Sequence, residues 1–273
     1  MSWVESSAAW SSVSTGWERR DPWLSAGMRP VTERLLAELD PQPGDRVVEV
    51  GCGIGEVGRL AAERVGADGH VLFTDQSQDM VEAALRHAAG LDNVDGRAMD
   101  AQAMALDDAS VDRLVSRFAY MLVPDPAKGL AEARRIMRPS GRLAFAVWTE
   151  ARDNPWAQGR ALVELGYMEQ PEPDAPGPFR LADPDRLRSL VTEAGLAEPA
   201  VDAVDIVMRY ASLEEWWEVT QDLAMSIRQA LAGLSPEQRD ELFARLSDPL
   251  AQYESADGVA IPGRAWVVAA DCL

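Results

Sequence analysis

From Gly44 onward the chain alternates short apolar runs with segments of helical periodicity. "DRVVEV" (45–50) reads as a first strand and "EVGRLAAERVG" as the helix after it. "HVLFTD" (70–75) is a second strand ending in an acid, and "QDMVEAALRHAAG" a second helix with apolar positions at helical spacing. "VDGRAMD" (94–100) predicts a short third strand and "VDRLVSRFAY" (111–120) a fourth. "DPAKGLAEARRIMRP" predicts a helix stopped by Pro139, and "SGRLAFAVW" (140–148) a fifth strand. Strands separated by helices in this rhythm predict a parallel sheet built from strand-helix units.

After Trp148 the rhythm breaks into a proline- and glycine-rich stretch, which predicts a loop and cap insertion at about 150–180. The pattern returns in "DPDRLRSLVTEAGL", a helix with Asp183 as N-cap and Gly195 as stop. It continues with the strand "VDAVDIVMRY", two further helices in a second cap region at about 212–255, and the strand "RAWVVAAD". The expected fold is α/β: a Rossmann-like, seven-stranded, mostly parallel sheet with helices on both faces and an antiparallel last strand. Residues 1–40 form an N-terminal helical cap segment ahead of one domain over 41–273. In that segment Trp3, Trp10 and Trp17 recur every seventh residue, with Trp23 following. On a helix this puts three indoles on one face, either packed on the core or closing over a pocket.

Composition narrows the function classes. A chain of 273 residues with 47% hydrophobic and 26% charged residues is that of an ordinary globular enzyme. No apolar run reaches the roughly 18 residues of a spanning helix, and "MSWVESSAAWSSVS" lacks the features of a signal peptide, so a cytoplasmic protein without membrane contact is expected. A formal charge of −19 opposes binding to a phosphate backbone, which argues against nucleic acid as partner. Cys52 and Cys272 support no disulfide framework, and Cys52 among glycines reads as a small buried filler. His70 and His87 are the two histidines, and with no cluster at ligand spacing no metal is expected. Lys128 is the sole lysine, which argues against Schiff-base chemistry.

The stretch "VVEVGCGIGEVGRL" fits two registers. As Gly53, Gly55 and Gly58 it satisfies the G-x-G-x-x-G dinucleotide fingerprint, with Asp75 about 20 residues on as a ribose-binding acid. As Glu49, Gly51, Gly53 and Gly55 it places an acid ahead of a tighter glycine loop. In both, glycines let the backbone turn sharply and approach a ligand at a helix N-terminus. Asp75 ends an apolar strand, where an ionised carboxylate needs donors such as a pair of ribose hydroxyls to offset its desolvation.

With "GDRVVEVGCGIGEVG", "VLFTDQSQDM" and "GRAMDAQAM" in order, the chain resembles the class I S-adenosylmethionine (SAM)-dependent methyltransferases. Within them it is similar to the small-molecule group typified by ubiquinone and menaquinone biosynthesis enzymes. "VDRLVSRFAYMLVPDPAKGLAEARRIMRPSGRL" resembles that group's fourth strand, following helix and turn. The resemblance implies that Glu49, Gly51, Cys52, Gly53 and Gly55 form the cofactor loop, that Asp75 and Gln76 meet the ribose, and that Met80 packs on the adenine. It further implies that Asp100 bonds the adenine amino group and the backbone of Ala101 meets the ring. SAM would be the cofactor and S-adenosylhomocysteine the product, with 41–273 the methyltransferase domain.

Methyl transfer from a sulfonium mainly requires holding donor and acceptor in line, and a base only where the acceptor must lose a proton. Arg117 and Tyr120 follow the fourth strand and are candidates near the methyl group, Arg117 also for the cofactor or for an anionic acceptor, or as the partner of a nearby acid. Trp10, Trp17, Tyr120, Trp148 and Trp156 are candidate acceptor-binding residues through stacking. No residue is given the role of general base. The expected activity is methyl transfer from SAM to O, C or N of a hydrophobic, aromatic or polyketide-like small molecule by a monomer or homodimer. Alternatives are quinone C-methylation in primary metabolism, a SAM-binding protein of this fold that does not methylate, and an NAD-dependent oxidoreductase.

Overall fold

Two edge strands, β3 (Val94–Ala98) and β6 (Ala200–Tyr210), flank a more deeply buried set: β1 (Arg46–Val50), β2 (His70–Asp75), β4 (Val111–Arg117), β5 (Met137–Trp148) and β8 (Gly258–Asp271). This is a computed structural model, which describes the backbone of residues 3–273 and the side chains from Ser7 onward. The order across the sheet is β3-β2-β1-β4-β5-β8-β6, and a two-residue β7 (Glu254–Ser255) pairs with β8 as an eighth strand. β1, β2, β3, β4 and β5 run parallel to one another, whereas β8 is antiparallel to both β5 and β6.

The burial of each strand follows its place. In β1 every residue after Arg46 is buried, because an interior parallel strand is covered on both faces and reads as a continuous apolar run. Edge strand β6 instead alternates, with Ile206, Met208 and Tyr210 inside and Val207 and Arg209 outside. Helices α3 (Asp21–Leu39), α4 (Glu56–Val65), α5 (Gln78–His87), α6 (Pro126–Ile136) and α8 (Pro184–Glu193) pack around the sheet. Three of these five are capped by a side chain at their starts: Ser77 accepts from Met80 N–H, Asp125 from Lys128 N–H and Asp183 from Asp185 N–H. α7 (Gly159–Glu164) lies in the first cap region. The second holds three helices rather than two: α9 (Leu213–Leu223), α10 (Met225–Leu231) and α11 (Pro236–Ser247).

Three local departures from the expected pattern have identifiable causes. β5 starts at Met137, which pairs with Val111; the register then shifts past Ser140, whose φ is 66°, and pairing resumes at Arg113 and Arg142. β4 stops at Arg117 because Phe118 adopts a left-handed φ of 62°, and Tyr120–Leu122 turns as a short 3-10 helix. The N-terminal tryptophans do not share one helix. α1 (Trp3–Ser11) and α2 (Ser14–Arg19) are separated where Ser12 Oγ donates to Ala9 O and Ser14 Oγ to Ser11 O. Such serine-to-backbone bonds compete with the helical ladder. The side chain of Trp3 lies outside the described residues.

β1 lies where the strand order reverses, with β2 on one side and β4 on the other. In open α/β sheets ligands bind outside the carboxyl ends of the strands at such a point. The loop that leaves β1 there is the glycine stretch.

Candidate functional site

Gly51, Gly53 and Gly55 have φ of 65°, 52° and 80°, a region that L-residues with side chains rarely adopt. Their surroundings differ. A Cβ on Gly51 would come within 2.2 Å of the Ala119 Cβ, and one on Gly55 within 2.7 Å of the Ala84 Cβ, so these two glycines let the loop pack on the β4 end and on α5. A Cβ on Gly53 would meet nothing within 4 Å. Its lack of a side chain is therefore not needed for internal packing, and it leaves open space beside the loop.

Gly53 N–H donates to Asp75 Oδ2 at 3.1 Å and Ser77 N–H to Asp75 Oδ1 at 2.9 Å. Burial pushes the Asp75 carboxyl above its ordinary range, opposed by the N–H groups of Ser77, Gly53 and Gln76. Each oxygen accepts one backbone N–H, which leaves acceptor capacity for two hydroxyls. A ribose diol beside a glycine loop fits this donor and acceptor set, so the residues present are chemically suited to an adenosyl cofactor.

Beneath the loop, Glu49 accepts from Gly58 N–H at 2.9 Å. Its carboxyl is pushed up to about 8, first by burial and also by Glu56 and Asp75, against the opposing pull of Arg117 and the Gly58 N–H. Cys52 is buried and its thiol is pushed up by the same desolvation, which suppresses a thiolate there. Arg117 donates to both Glu56 Oε2 and Thr32 Oγ1 at 2.6 Å. Its guanidinium is thus committed to an acid on α4 and a hydroxyl on α3. Thr32 and Glu56 also line a cavity of about 620 Å³ between those helices.

Past β3, Asp100 Oδ1 accepts from the backbone N–H of Gln102 at 2.8 Å and from its side-chain amide at 3.1 Å, and Ala101 follows it half-buried in the same turn. Gln102 Oε1 accepts from Asp125 N–H, which ties this turn to the start of α6.

The N-terminal helices lie over the β2–α5 side. Ser7 Oγ donates to the carbonyl of Gln76 at 2.7 Å, and Ser11 and Ser77 share a hydrogen bond of 2.8 Å. Trp10 and Trp17 meet edge to face at 6.2 Å and pack with Val13, Ile54 and Met80 in a cluster separate from the main core. Sequence spacing made these tryptophans acceptor candidates, but the structure sets them against Ile54 of the glycine loop and Met80 of α5.

The other aromatic candidates gather at the ends of β4 and β5. Trp148 is stacked by Phe118 at 3.9 Å with an interplanar angle of 10°, and Trp156 lies 4.7 Å from Trp148 at 59°. Phe179 continues the row at 6.1 Å from Trp156. Tyr120 is 1% exposed, meets Phe145 edge to face, and has its phenol pushed up by burial, which disfavours a phenolate. Phe118, Thr32, Glu56 and Ser77 are the residues that sequence reasoning missed. Phe118 carries the clearest structural mark, since an aromatic residue held at positive φ costs about 1–3 kcal/mol that its surroundings must offset. His70 pairs with Asp95 on an exposed edge and His87 faces Glu18 and Asp21, both away from this wall. Among the described residues no helix is long and apolar enough to cross a membrane.

Comparison with known proteins bears on the same region. Residues 47–141, from β1 into β5, match the family model described as a methyltransferase domain. The nocamycin O-methyltransferase of Saccharothrix syringae is 40% identical over 75% of this chain and 71% of its own length. The demethylmenaquinone methyltransferase of Clavibacter sepedonicus is 33% identical over 51% of this chain and 56% of its own length. A transposon-borne relative from Streptomyces fradiae is matched over 32% of its length, so the chain spans less than two thirds of two of these three relatives. Among solved structures, the YcgJ protein of Bacillus subtilis shares the fold with a TM-score of 0.60 at 17% identity, covering 88% of this chain and 97% of that one. The glycine loop, its acid at the end of β2, the sheet order and a relative matched over most of both lengths agree: the chain belongs to the SAM-dependent methyltransferases.

Proposed function

We propose that this chain transfers a methyl group from SAM to an O, C or N atom of a hydrophobic, aromatic or polyketide-like small molecule. The observation that carries the acceptor class is the row Phe118, Trp148, Trp156 and Phe179, which begins one residue before Ala119, the residue packed against Gly51. The similarity to a nocamycin O-methyltransferase supports the same class.

When bound, SAM supplies an electrophilic methyl group on a sulfonium whose leaving group departs neutral. The chain's task is then position. Gly53 admits the cofactor's amino-acid end to the loop, and Asp75 accepts from the ribose hydroxyls with the Gln76 backbone beside it. Asp100 and the Ala101 backbone receive the adenine edge, and Met80 packs behind Ile54 on the same side. The Arg117–Glu56 pair fixes the loop's exit into α4 by holding Glu56 in the first turn of that helix. Trp148 and Trp156 orient a flat acceptor. Orientation and proximity of this kind contribute roughly 7–11 kcal/mol to a two-substrate reaction.

A second reading, C-methylation of a quinone-type ring, draws on the similarity to a demethylmenaquinone methyltransferase and uses the same wall. Calorimetric titration with SAM, S-adenosylhomocysteine and NADH in parallel tests the cofactor assignment. Heat from both adenosyl ligands and none from NADH is expected, and NADH binding alone overturns it. Methyl transfer from radiolabelled SAM to a panel of polyphenols and hydroquinones then separates the two acceptor readings.

A further inference from the structure

The contact between Phe118 and Trp148 differs from every other aromatic pair among the described residues. Its planes lie within 10° of parallel at 3.9 Å, whereas the remaining pairs are tilted or edge-on at 33° to 71°. Near-parallel stacking is also a way in which an aromatic ring receives a flat aromatic ligand.

The two members of the stack are held differently. Trp148 is 7% exposed and ends β5 within the paired sheet, opposite Ala265. Its neighbour Trp156 is anchored through its indole N–H, which donates to Asn154 Oδ1 at 3.1 Å. Asn154 is itself fully buried and donates to Thr149 Oγ1 and to the carbonyls of Glu150 and Arg264. That is a fixed wall. Phe118 is the half-buried member: its backbone N–H donates to Ala146 O at 2.9 Å, and its ring packs against the core through apolar contacts. Its left-handed backbone directs the ring onto Trp148, and a phenyl group has no polar atom to anchor it there.

We propose that Phe118 and the aromatic ring of the acceptor compete for one seat, the face of Trp148. Phe118 yields by rotating away, and the seat confers a preference for flat aromatic acceptors over puckered ones of the same size. The proposal rests on the reading of the chain as a small-molecule methyltransferase. It makes Phe118 a specificity-determining residue rather than part of the fixed wall.

The test is calorimetric titration of the full chain, saturated with S-adenosylhomocysteine, with 1-naphthol and with decahydro-1-naphthol, its saturated counterpart. Phe118→Gly suits the left-handed backbone and vacates the seat. It is expected to bind 1-naphthol about 3- to 10-fold more tightly than the wild type, with the saturated probe changed by less than about twofold. Trp148→Leu is expected to weaken 1-naphthol binding by a similar factor. Phe118→Asn, also tolerant of positive φ, repeats the test should the glycine variant lose S-adenosylhomocysteine binding. Equal or weaker 1-naphthol binding by the Phe118 variants overturns the proposal, as does an equal gain for the saturated probe or no 1-naphthol binding by any of the proteins. Retained S-adenosylhomocysteine binding in those cases leaves the methyltransferase reading standing. Its absence from the wild type sinks that reading itself.

Discussion

Gly53 donates its backbone N–H to the carboxylate of Asp75 at 3.1 Å, joining the middle of the loop after β1 to the end of β2. The bond fixes the spacing between the open side of the loop and an acid with unused acceptor capacity. Asp75→Ala removes the acceptor proposed for both cofactor hydroxyls, and SAM affinity is expected to fall by about 1.5–3 kcal/mol, the range for hydrogen bonds to a charged group. Unchanged affinity by calorimetry would take Asp75 out of the site.

Glu49 makes stability depend on pH with a definite sign. Its carboxyl is held up to about 8 against an ordinary 4.5, chiefly by burial. A raised folded-state value means that its contribution is fully present below the unfolded value and is lost as pH rises toward about 8. Glu49→Gln keeps an acceptor for the Gly58 N–H and removes the titration. The wild type should lose stability relative to this variant by up to about 1 kcal/mol per pH unit across that window, read from urea midpoints. Asp75 shifts in the same direction and is present in both proteins, so the comparison reads Glu49 together with its coupling to Asp75. Parallel pH curves would show that Glu49 is not held protonated.

The sheet and the glycine loop were legible in the sequence because both are local: continuous apolar runs mark interior parallel strands, and three glycines mark a backbone that must turn at positive φ. Arg117 was legible as an oddity in an apolar stretch, and an ion pair with a nearby acid was one of its readings. Its particular partners, Glu56 and Thr32, depend on how α3 and α4 meet, which no spacing encodes. Phe118 gave no signal at all. Its stacking follows from a left-handed turn at the end of β4 and from Trp148 on the neighbouring strand, and a phenylalanine is the wrong residue from which to infer positive φ. Heptad spacing did put Trp10 and Trp17 on one face, but it could not show that serines between them split the segment into two helices.

The buried pair Arg117–Glu56 is expected to behave as a structural unit. Its side chains are 13% and 7% exposed, and removing Glu56 takes from the Arg117 charge its hydrogen-bonded acid, with Thr32 and the electrostatic pull of Glu49 remaining. Glu56→Gln should cost about 3–5 kcal/mol in urea unfolding. A loss below about 1 kcal/mol, the level of a surface pair, would mean that solvent reaches the guanidinium.

Deleting the chain before Arg20 is expected to act on cofactor binding. The removed helices contribute Ser7 to the Gln76 carbonyl, Ser11 to Ser77, and the cover of Trp10 and Trp17 over Ile54 and Met80. These bonds are made within the chain, so their loss acts on the cofactor through the placement of Gln76 and Ser77, and SAM affinity is expected to fall by roughly tenfold, about 1.4 kcal/mol. Stopped-flow dissociation of S-adenosylhomocysteine reads this directly. An unchanged dissociation rate with a raised acceptor KM would assign the helices to the acceptor instead.

Gly51 and Gly53 share a motif and a positive φ, yet alanine should affect them in opposite ways. At Gly51 the new Cβ would lie 2.2 Å from the Ala119 Cβ, so β4 and the loop must separate, and the cost falls on folding. Overpacking of this kind costs about 1–3 kcal/mol, added to about 1 kcal/mol or more for alanine at positive φ. At Gly53 the Cβ enters open space, and folding bears only the backbone cost. The methyl group would instead occupy the space into which the cofactor's amino-acid end is proposed to fit, so Gly53→Ala should lose SAM affinity by about tenfold or more while losing only the backbone cost of about 1 kcal/mol in stability. Paired urea unfolding and calorimetry on the two variants separate the roles. Should Gly53→Ala bind SAM normally, the open side of the loop is not where the cofactor lies, and the placement of the whole site fails with it.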